Sequence, residues 1–521
     1  MLQNRNIAFI VSAILLCVAV YGVYPFYQYY VDPDATAYLT IIKRYVAGDY
    51  EKAINGYWSP WSCWLVAGWV KLTGWGLMAA SVAVNTAGAV CFLSISHSFF
   101  KYFDIESKLV WLCELILVVF LGYAVYGQLF DDLWECFFLL AILRVMLRED
   151  FVRSRWLWAL TGVLGALAYF AKAYAFPFFI LNMIVCSRFV TADRKHAVWM
   201  AAVSIVVMMV CSFPWMYALH HKYGEWMTGT AGKLNLSWYT VGHPYWKEGI
   251  SHLIPPVYAD SPYYWEDPYL VNGAAPNALS SFAMLKMQLM RIPFNLFKLM
   301  RSMSELSAVF TVLFGGMLLL VLSEWARSFF PKKMGVVAIS FLIFPPGYVL
   351  INFEARYLWY MLPLGMVLGA LLLQKVFSYF TDCGWIRPAA YLFFGLSFIY
   401  FPVLEMKKMY KVGAEDYRLA EHMKKEGIKG SFTVVAETGA EVQGIERVAY
   451  FSGNPFYAIP KVNISLDELL TEMERYTVKY YIHFYDKAEG ATYRFTDANG
   501  REVPEVLRDE AYGIRVFGPL H

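Results

Sequence analysis

The sequence predicts a polytopic α-helical membrane protein with a small C-terminal α/β domain. Three observations support this prediction. The 521 residues are 59% hydrophobic and only 16% charged, whereas soluble domains carry about 25% charged residues. About eleven apolar runs of helical length follow one another up to residue 404. Beyond that point the charge rises and the apolar runs shorten, which is typical of a domain in water.

The apolar runs are separated by short polar turns and predict about eleven transmembrane helices. They lie near residues 7–24, 77–98, 109–127, 133–147, 156–171, 174–187, 197–218, 305–323, 334–351, 357–375 and 388–404. Several are short for a hydrocarbon core of ~30 Å. The stretch from Trp61 to Trp75 is interrupted by Gly68, Lys71 and Gly74, so we interpret it as a helix lying at the interface.

Basic residues in the short turns indicate the orientation, because loops on the cytoplasmic side carry the excess of Lys and Arg. With the N-terminus inside, every inner turn is basic; these residues are Lys101 and Lys108, Arg148, Arg153 and Arg155, Arg188, Arg194 and Lys195, Arg327, Lys332 and Lys333, and Lys375 and Arg387. An odd number of spans then places the C-terminus outside. We predict a multi-pass cell-membrane protein whose tail is extracytoplasmic, which is periplasmic if the cell is Gram-negative.

Two domains follow from this topology. Residues 1–404 form the transmembrane module, with outer loops at 25–76 and 219–301, and residues 405–521 form the α/β domain. In the tail, Ala414 to Glu426 and Leu466 to Arg475 have helical spacing, whereas Ser431 to Ala436 and Val478 to Phe484 read as buried strands. Alternating helices and strands indicate a small α/β fold.

Charge and cysteine content exclude some classes of function. A formal net charge of +3 is too small to indicate a nucleic-acid partner. The eight cysteines have no paired metal-ligand spacing and mostly fall within or beside apolar runs. We interpret them as small apolar side chains and expect no disulfides.

Charged residues recur at the outer ends of the predicted helices, and these are the candidate site residues. They are Asp32 and Asp34 after the first run, Asp131 and Asp132 between the third and fourth, Lys172 between the fifth and sixth, and Glu354 and Arg356 at the tenth. Carboxylates can act as a base or bind a divalent cation, and Lys and Arg can hold a phosphate. The set predicts a site for transferring a group from a phosphorylated lipid.

Each candidate also has an ordinary structural explanation. Asp131 and Asp132 could be solvated helix ends, and Asp34 could cap the following helix. Lys172 could extend its ammonium from a helix end towards water, and Glu354 with Arg356 could form a local ion pair. His243, in the outer loop, is a candidate for acceptor or metal binding or an ordinary loop residue.

Four motifs in order along residues 1–380 resemble the GT-C class of membrane glycosyltransferases, in the branch of aminoarabinose transferase and the protein O-mannosyltransferases. They are Asp34-Ala35-Thr36-Ala37-Tyr38, the aromatic segment from Gly56 to Leu65, Tyr169-Phe170-Ala171-Lys172 with Pro177, and Glu354-Ala355-Arg356-Tyr357-Leu358 with Pro363. The family's Glu after the first Asp is Ala35 here, and Asp32 lies two residues before Asp34.

The resemblance implies an inverting transfer of a sugar from a polyprenyl-phosphate donor on the outer face. Asp34, with Asp32, would be catalytic as the base, and Lys172 and Arg356 would hold the donor phosphate. Asp131, Asp132, Glu354 and His243 would place the acceptor or a metal. A divalent ion, Mg²⁺ or Mn²⁺, is a candidate cofactor with Asp32 and Asp34 as candidate ligands. The acceptor would be a lipid, a glycan or a protein.

Two other functions fit parts of the pattern. A polymerase or ligase of lipid-linked oligosaccharides would favour Arg-rich outer turns, which this sequence lacks. A non-enzymatic flippase or transporter would favour inverted repeats and charges near the bilayer midplane. Apart from Glu114, the ionisable residues lie at the ends of the apolar runs, which favours the enzyme.

Overall fold

The computed structural model describes residues 2–127, 129–242, 253–272, 281–331, 333–380, 384–435, 439–458, 464–485, 494–497 and 500–520. The first half of the transmembrane module contains α1 (Leu2–Tyr27), α2 (Pro33–Ala47), α3 (Tyr50–Ala53), α4 (Trp61–Thr73), α5 (Leu77–Tyr102), α6 (Ser107–Gly127), α7 (Asp132–Met146), α8 (Arg155–Ala171), α9 (Ala175–Val190), α10 (Arg194–Tyr223) and α11 (Ala231–Leu236). Helices α1, α5 and α6 pack together, as do α7, α8 and α10.

The second half of the module contains α12 (Pro268–Asn272), α13 (Phe282–Leu306), α14 (Phe310–Leu322), α15 (Glu324–Ser328), α16 (Met334–Ile343), α17 (Pro345–Ile351), α18 (Met361–Tyr379) and α19 (Ile386–Met409). Helix α13 occupies much of the segment that the sequence predicted as loop up to Arg301. Helices α13 and α14 meet at a bend of 118°.

All eleven predicted apolar runs are helical, but not all are long. Among the described residues, seven helices are long and apolar enough to cross a membrane, or eight if the bent pair of α13 and α14 is one span. Helices α7, α8 and α9 have only 15, 17 and 16 residues, so at ~1.5 Å per residue they fall short of ~30 Å. They are packed within the bundle, and two candidate site residues lie at their ends: Asp132 at the start of α7 and Lys172 at the end of α8.

The tail is an α/β domain, as the sequence predicted. It contains α20 (Ala414–Lys425), β1 (Phe432–Val435), α21 (Gly439–Ser452), β2 (Phe456–Tyr457), α22 (Leu466–Arg475), β3 (Tyr480–Phe484), β4 (Glu505–Asp509) and β5 (Ile514–Phe517). The sheet order is β2-β1-β3-β5-β4. Strands β1, β2 and β3 are parallel, and β5 pairs antiparallel with both β3 and β4.

The tail is attached tightly to the C-terminal end of α1. The Lys411 amide donates to the Phe26 carbonyl at 3.0 Å, and Tyr29 stacks on Tyr417 with ring centroids 4.5 Å apart. Gly413 has φ +84°, and a Cβ there would lie 2.1 Å from the Tyr29 carbonyl oxygen, so only glycine fits this junction. Helix α21 then packs against α2, and this contact brings the domain to the candidate site.

Candidate active site

Helix α2 begins with the two acidic residues that the sequence singled out. Asp32 is the N-cap, and its Oδ1 accepts a hydrogen bond from the Ala35 amide at 2.6 Å, while Pro33 occupies the first turn. Asp34 was a candidate for the cap from the sequence, but Asp32 has that role because its extended backbone lets the carboxylate reach the amide of the first turn. The Asp34 carboxylate therefore remains available for other partners.

Asp34 binds an arginine that is 322 residues away in the sequence. Both terminal nitrogens of Arg356 donate to Asp34 Oδ2 at 3.3 Å. Arg356 Nε also forms an ion pair with Glu354 Oε2 at 2.8 Å, which is the local pair that the sequence allowed. Asp34 Oδ1 accepts a further hydrogen bond from the Trp265 indole at 3.2 Å. Both carboxylate oxygens of the candidate base are thus oriented by donors.

Lys172 and Asp132 continue the same cluster. Lys172 Nζ donates to Asp132 Oδ1 and lies 4.8 Å from the centroid of the Tyr357 ring. Asp132 Oδ2 is 4.0 Å from Arg356 Nη1. Asp34, Arg356, Asp132 and Lys172 therefore form one continuous network of charges from four separate segments.

Glu135 belongs to this network and was missed from the sequence. Its Oε2 lies 3.9 Å from Lys172 Nζ, and its side chain is only 3% exposed. The signal was present, because Asp132 and Glu135 are three residues apart and lie on one face of α7.

Asp131 faces away from the network. Its Oδ1 accepts from the Ser62 amide at 2.9 Å, and the Ser62 hydroxyl accepts from the Asp131 amide at 3.1 Å. The reciprocal pair joins the start of α4 to the start of α7. Asp131 has φ +43°, an unfavourable region for a residue with a Cβ. The structure thus separates the two neighbouring acids: Asp132 points to the cations, and Asp131 holds two helices together.

Burial changes the acidity of two of these carboxyl groups. Burial raises the pKa of Asp32 to about 7, and the neighbouring Asp34 charge adds to the shift. Burial likewise raises the pKa of Asp131 to about 7, although hydrogen bonds from Ser62 and Tyr38 act in the opposite direction. Both groups therefore carry only part of a negative charge near neutral pH.

A buried arginine on α2 holds the segment that contains Trp265 against Asp34. Arg44 is 5% exposed; its Nε donates to Glu266 Oε1, and its Nη2 donates to Glu266 Oε2 at 3.0 Å. Its Nη1 donates to Asp260 Oδ2, also at 3.0 Å. The Asn55 amide group donates to the Glu266 carbonyl at 2.7 Å. These contacts fix the position of Trp265, the residue that precedes Glu266.

Aromatic side chains wall the space beside Asp34. The Trp58 indole donates to the Trp265 carbonyl at 2.9 Å, Trp238 stacks on Trp265 with centroids 5.3 Å apart, and Tyr57 lies 5.5 Å from the Trp265 ring. Such faces suit a sugar ring or a prenyl chain. Trp61 belongs to the same aromatic segment of the sequence, but its ring packs on Phe138 with centroids 5.2 Å apart, inside the bundle.

The metal prediction has no preformed site among the residues that the structure describes. No group of three or more His, Cys, Asp or Glu side chains there is placed to hold an ion. Asp34 is engaged by Arg356 and Trp265, and Asp32 by the Ala35 amide. His243 lies outside the described residues. The metal ion remains a prediction, and no catalytic step is assigned to it.

No protein-family model matches the sequence, and no curated protein matches it either. Solved structures do match. ArnT from Cupriavidus metallidurans bound to undecaprenyl phosphate superimposes with a TM-score of 0.56 at 12% identity, covering 99% of this chain and 97% of that one. The same ArnT in the apo state gives a TM-score of 0.56 at 13% identity, covering 98% of each chain.

A third match comes from an archaeal enzyme. The oligosaccharyltransferase of Archaeoglobus fulgidus, in complex with Zn and sulfate, gives a TM-score of 0.51 at 14% identity, covering 92% of this chain and 68% of that one. Identities this low establish the fold alone. Because the fold extends over nearly the whole chain and includes several apolar membrane-span candidates, this protein is a multi-pass membrane protein with the fold of the GT-C glycosyltransferases.

Proposed function

We propose that this protein is a glycosyltransferase that moves a sugar from a polyprenyl-phosphate donor to an acceptor hydroxyl, with inversion at the anomeric carbon. One observation carries the proposal. A candidate base, Asp34, lies in the same network as two cations that could hold a phosphate, Arg356 and Lys172. The ArnT neighbour that binds undecaprenyl phosphate supports a lipid-phosphate donor.

The network contains the groups that an in-line displacement needs. Asp34 would accept the proton of the acceptor hydroxyl as the oxygen forms its bond to the anomeric carbon. The bond from that carbon to the phosphate oxygen breaks, and the phosphate leaves with the electron pair. Arg356 and Lys172 would stabilise the charge that develops on the phosphate. The proton ends on Asp34, and the polyprenyl phosphate is the second product.

The resting pairs explain how the cations stay in place before the donor binds. Arg356 is held by Asp34 and Glu354, and Lys172 by Asp132. An arriving phosphate would compete for these cations, as its oxygens match a guanidinium fork. Once Arg356 turns towards the phosphate, one Asp34 oxygen becomes free to accept a proton. Donor binding would thus activate the base.

The donor's phosphate would meet the site at headgroup level. Asp34, Asp132, Lys172 and Arg356 all lie at or beside helix ends, where a lipid phosphate resides. The predicted orientation places these ends on the extracytoplasmic side. The aromatic wall of Tyr57, Trp58, Trp238 and Trp265 would then contact the sugar or the first prenyl units.

The first experiment measures transfer by purified protein from a panel of prenyl-phosphate sugars. Asp34→Asn keeps the shape of the side chain but removes the base, so turnover should fall about 10²- to 10⁴-fold. Asp150→Asn is the matched control, since Asp150 is an exposed partner of Arg148. Near-normal turnover of Asp34→Asn would reject Asp34 as the base.

The second experiment separates donor binding from acceptor binding. Arg356→Ala removes charge-assisted hydrogen bonds to the phosphate, so the KM for the donor should rise about 10- to 100-fold. The KM for the acceptor should change much less. Equal changes in both constants would assign Arg356 a structural role. Transfer that occurs only from pyrophosphate-linked oligosaccharides would instead favour the polymerase or ligase.

A further inference from the structure

The C-terminal domain contributes a buried carboxyl group on a helix that packs against α2, the helix that carries Asp34. Glu446 lies on α21, the helix that packs against α2. Its side chain is 8% exposed, and among the described residues nothing hydrogen-bonds its buried Oε2. Buried polar atoms are nearly always paired, so an unpaired one at a site points to a missing ligand.

The charged groups that act on Glu446 include the candidate base, Asp34, and its neighbour Asp32. Asp34 and Asp32 are close enough to raise its pKa. On its own helix, Arg447 is the neighbouring cation, but Arg447 Nε donates to Asp416 of α20, and Asp416 also accepts from the Tyr512 hydroxyl at 2.6 Å. From α2, the Lys43 ammonium lies 4.1 Å from the centroid of the Tyr450 ring.

Tyr263 belongs to the same buried cluster as Ile445 and Val448 of α21, and it also contacts the start of α2. Its hydroxyl donates to the carbonyl of Pro33 at 2.7 Å, the residue between Asp32 and Asp34. Burial raises the pKa of the Tyr263 phenol well above its usual range, and Glu446, Asp34 and Asp32 add to the shift because all three lie near it. The packing of α21 on α2 and the Tyr263 hydrogen bond to Pro33 thus bring the helix that carries Glu446 to the start of α2.

Burial gives Glu446 a particular chemical character. Burial raises its pKa to about 8, with the Asp34 and Asp32 charges adding to the shift and Arg447 opposing it. At neutral pH the group is mostly a carboxylic acid, which has one O–H donor and a carbonyl acceptor. Such a group suits an uncharged hydroxyl of a ligand and avoids adding another full negative charge near Asp34.

We propose that the C-terminal domain completes the active site with Glu446, which hydrogen-bonds a hydroxyl of the acceptor. This inference rests on the proposed function. The donor phosphate belongs with Arg356 and Lys172, and an inverting displacement brings the acceptor from the side of the base. Glu446 lies with Asp34 and Asp32, so its ligand is the acceptor. The carboxyl cluster also disfavours an anionic group at this position, so the acceptor presents a neutral polyol there.

The test compares Glu446→Ala and Glu446→Gln with wild-type protein in the transfer assay. Glu446→Ala should raise the acceptor KM about 10-fold. The donor KM should stay within about 2-fold of wild type, because Glu446 is proposed to contact the acceptor and not the donor. Glu446→Gln keeps a donor and an acceptor and should resemble wild type well below pH 8. Well above pH 8, the acceptor KM of wild type should rise as Glu446 ionises, whereas that of Glu446→Gln should not.

Glu472→Ala is the matched control for a purely structural role. Glu472 is 7% exposed in the same domain, and its Oε2 accepts from the Leu253 amide at 3.1 Å, away from Asp34. This variant should lower the melting temperature without a selective change in acceptor KM. Two results for Glu446→Ala would overturn this inference but not the proposed function: unchanged kinetics, or a lower melting temperature without a selective change in acceptor KM. Wild-type protein that transfers no sugar from any donor would overturn the proposed function and this inference with it.

Discussion

The buried Arg44 clamp gives a prediction that links stability to the site. Arg44 is on α2, and its partners Asp260, Ser261 and Glu266 are on the loop that carries Trp265. Replacing Arg44 by Met keeps much of the side-chain volume but removes every one of these hydrogen bonds. Glu266 would then be a buried carboxylate, 2% exposed, with its main cation gone.

The size of the effect follows from the burial of the pair. Breaking a buried ion pair by removing one partner costs about 3–5 kcal/mol, because an uncompensated charge remains. If that cost falls on docking of the loop, the ratio of open to closed loop rises roughly 10²- to 10⁴-fold. Loss of the Trp265 hydrogen bond to Asp34 should accompany the opening.

Hydrogen exchange of the backbone amides in residues 253–272 measures this opening directly. Arg44→Met should lose protection there, while Arg148→Ala should not, since Arg148 and Asp150 are 52% and 55% exposed and exposed pairs contribute ~0–1 kcal/mol. The double variant Arg44→Met with Glu266→Leu should recover protection, because no buried charge remains unpaired. Exchange of Arg44→Met at the wild-type rate would refute the reasoning.

Two more predictions concern Asp34 and its neighbour. The pKa of Asp32 is raised in the folded state, from 3.8 to about 7, so its burial costs stability progressively as pH rises through this range. Asp32→Asn keeps the helix cap, and it should raise the melting temperature relative to wild type more above pH 7 than at acidic pH. An equal difference in melting temperature at both pH values would contradict the raised pKa of Asp32. Trp265→Phe removes the donor to Asp34 Oδ1 but retains an aromatic ring against Trp238; kcat should fall about 10-fold with the donor KM nearly unchanged, and Trp156→Phe, an exposed control, should leave kcat as in wild type.

Local patterns in the sequence predicted the elements well. The helix predicted over Leu466 to Arg475 has those bounds in the structure, because Ser465 and Glu468 form a capping box that fixes its start. The predicted helix from Ala414 extends to Lys425, one residue short of the prediction. The apolar runs were all found as helices because hydropathy is a property of neighbouring residues.

Contacts between distant segments were less accessible from sequence. Asp131 and Asp132 are adjacent and chemically identical, yet one faces Ser62 and the other Lys172. That choice depends on the unusual backbone at Asp131 and on the packing of α4 against the bundle. Arg44 and Glu446 were overlooked because their partners lie more than two hundred residues away. The sequence did contain one indication of the role of Arg44, because it is a charged residue on the apolar face of an amphipathic helix.

The attachment of the tail ties its position to the start of α2. The catalytic candidates Asp32 and Asp34 lie within a few residues of Tyr29, whose carbonyl oxygen packs against Gly413 and whose ring stacks on Tyr417. A displacement of the C-terminal domain would therefore move the start of α2 and change the charges around Asp34. If Glu446 binds the acceptor as proposed, acceptor binding and the position of the tail would be coupled. An acceptor that contacts Glu446 would stabilise the docked domain, and by linkage the docked domain would bind the acceptor more tightly.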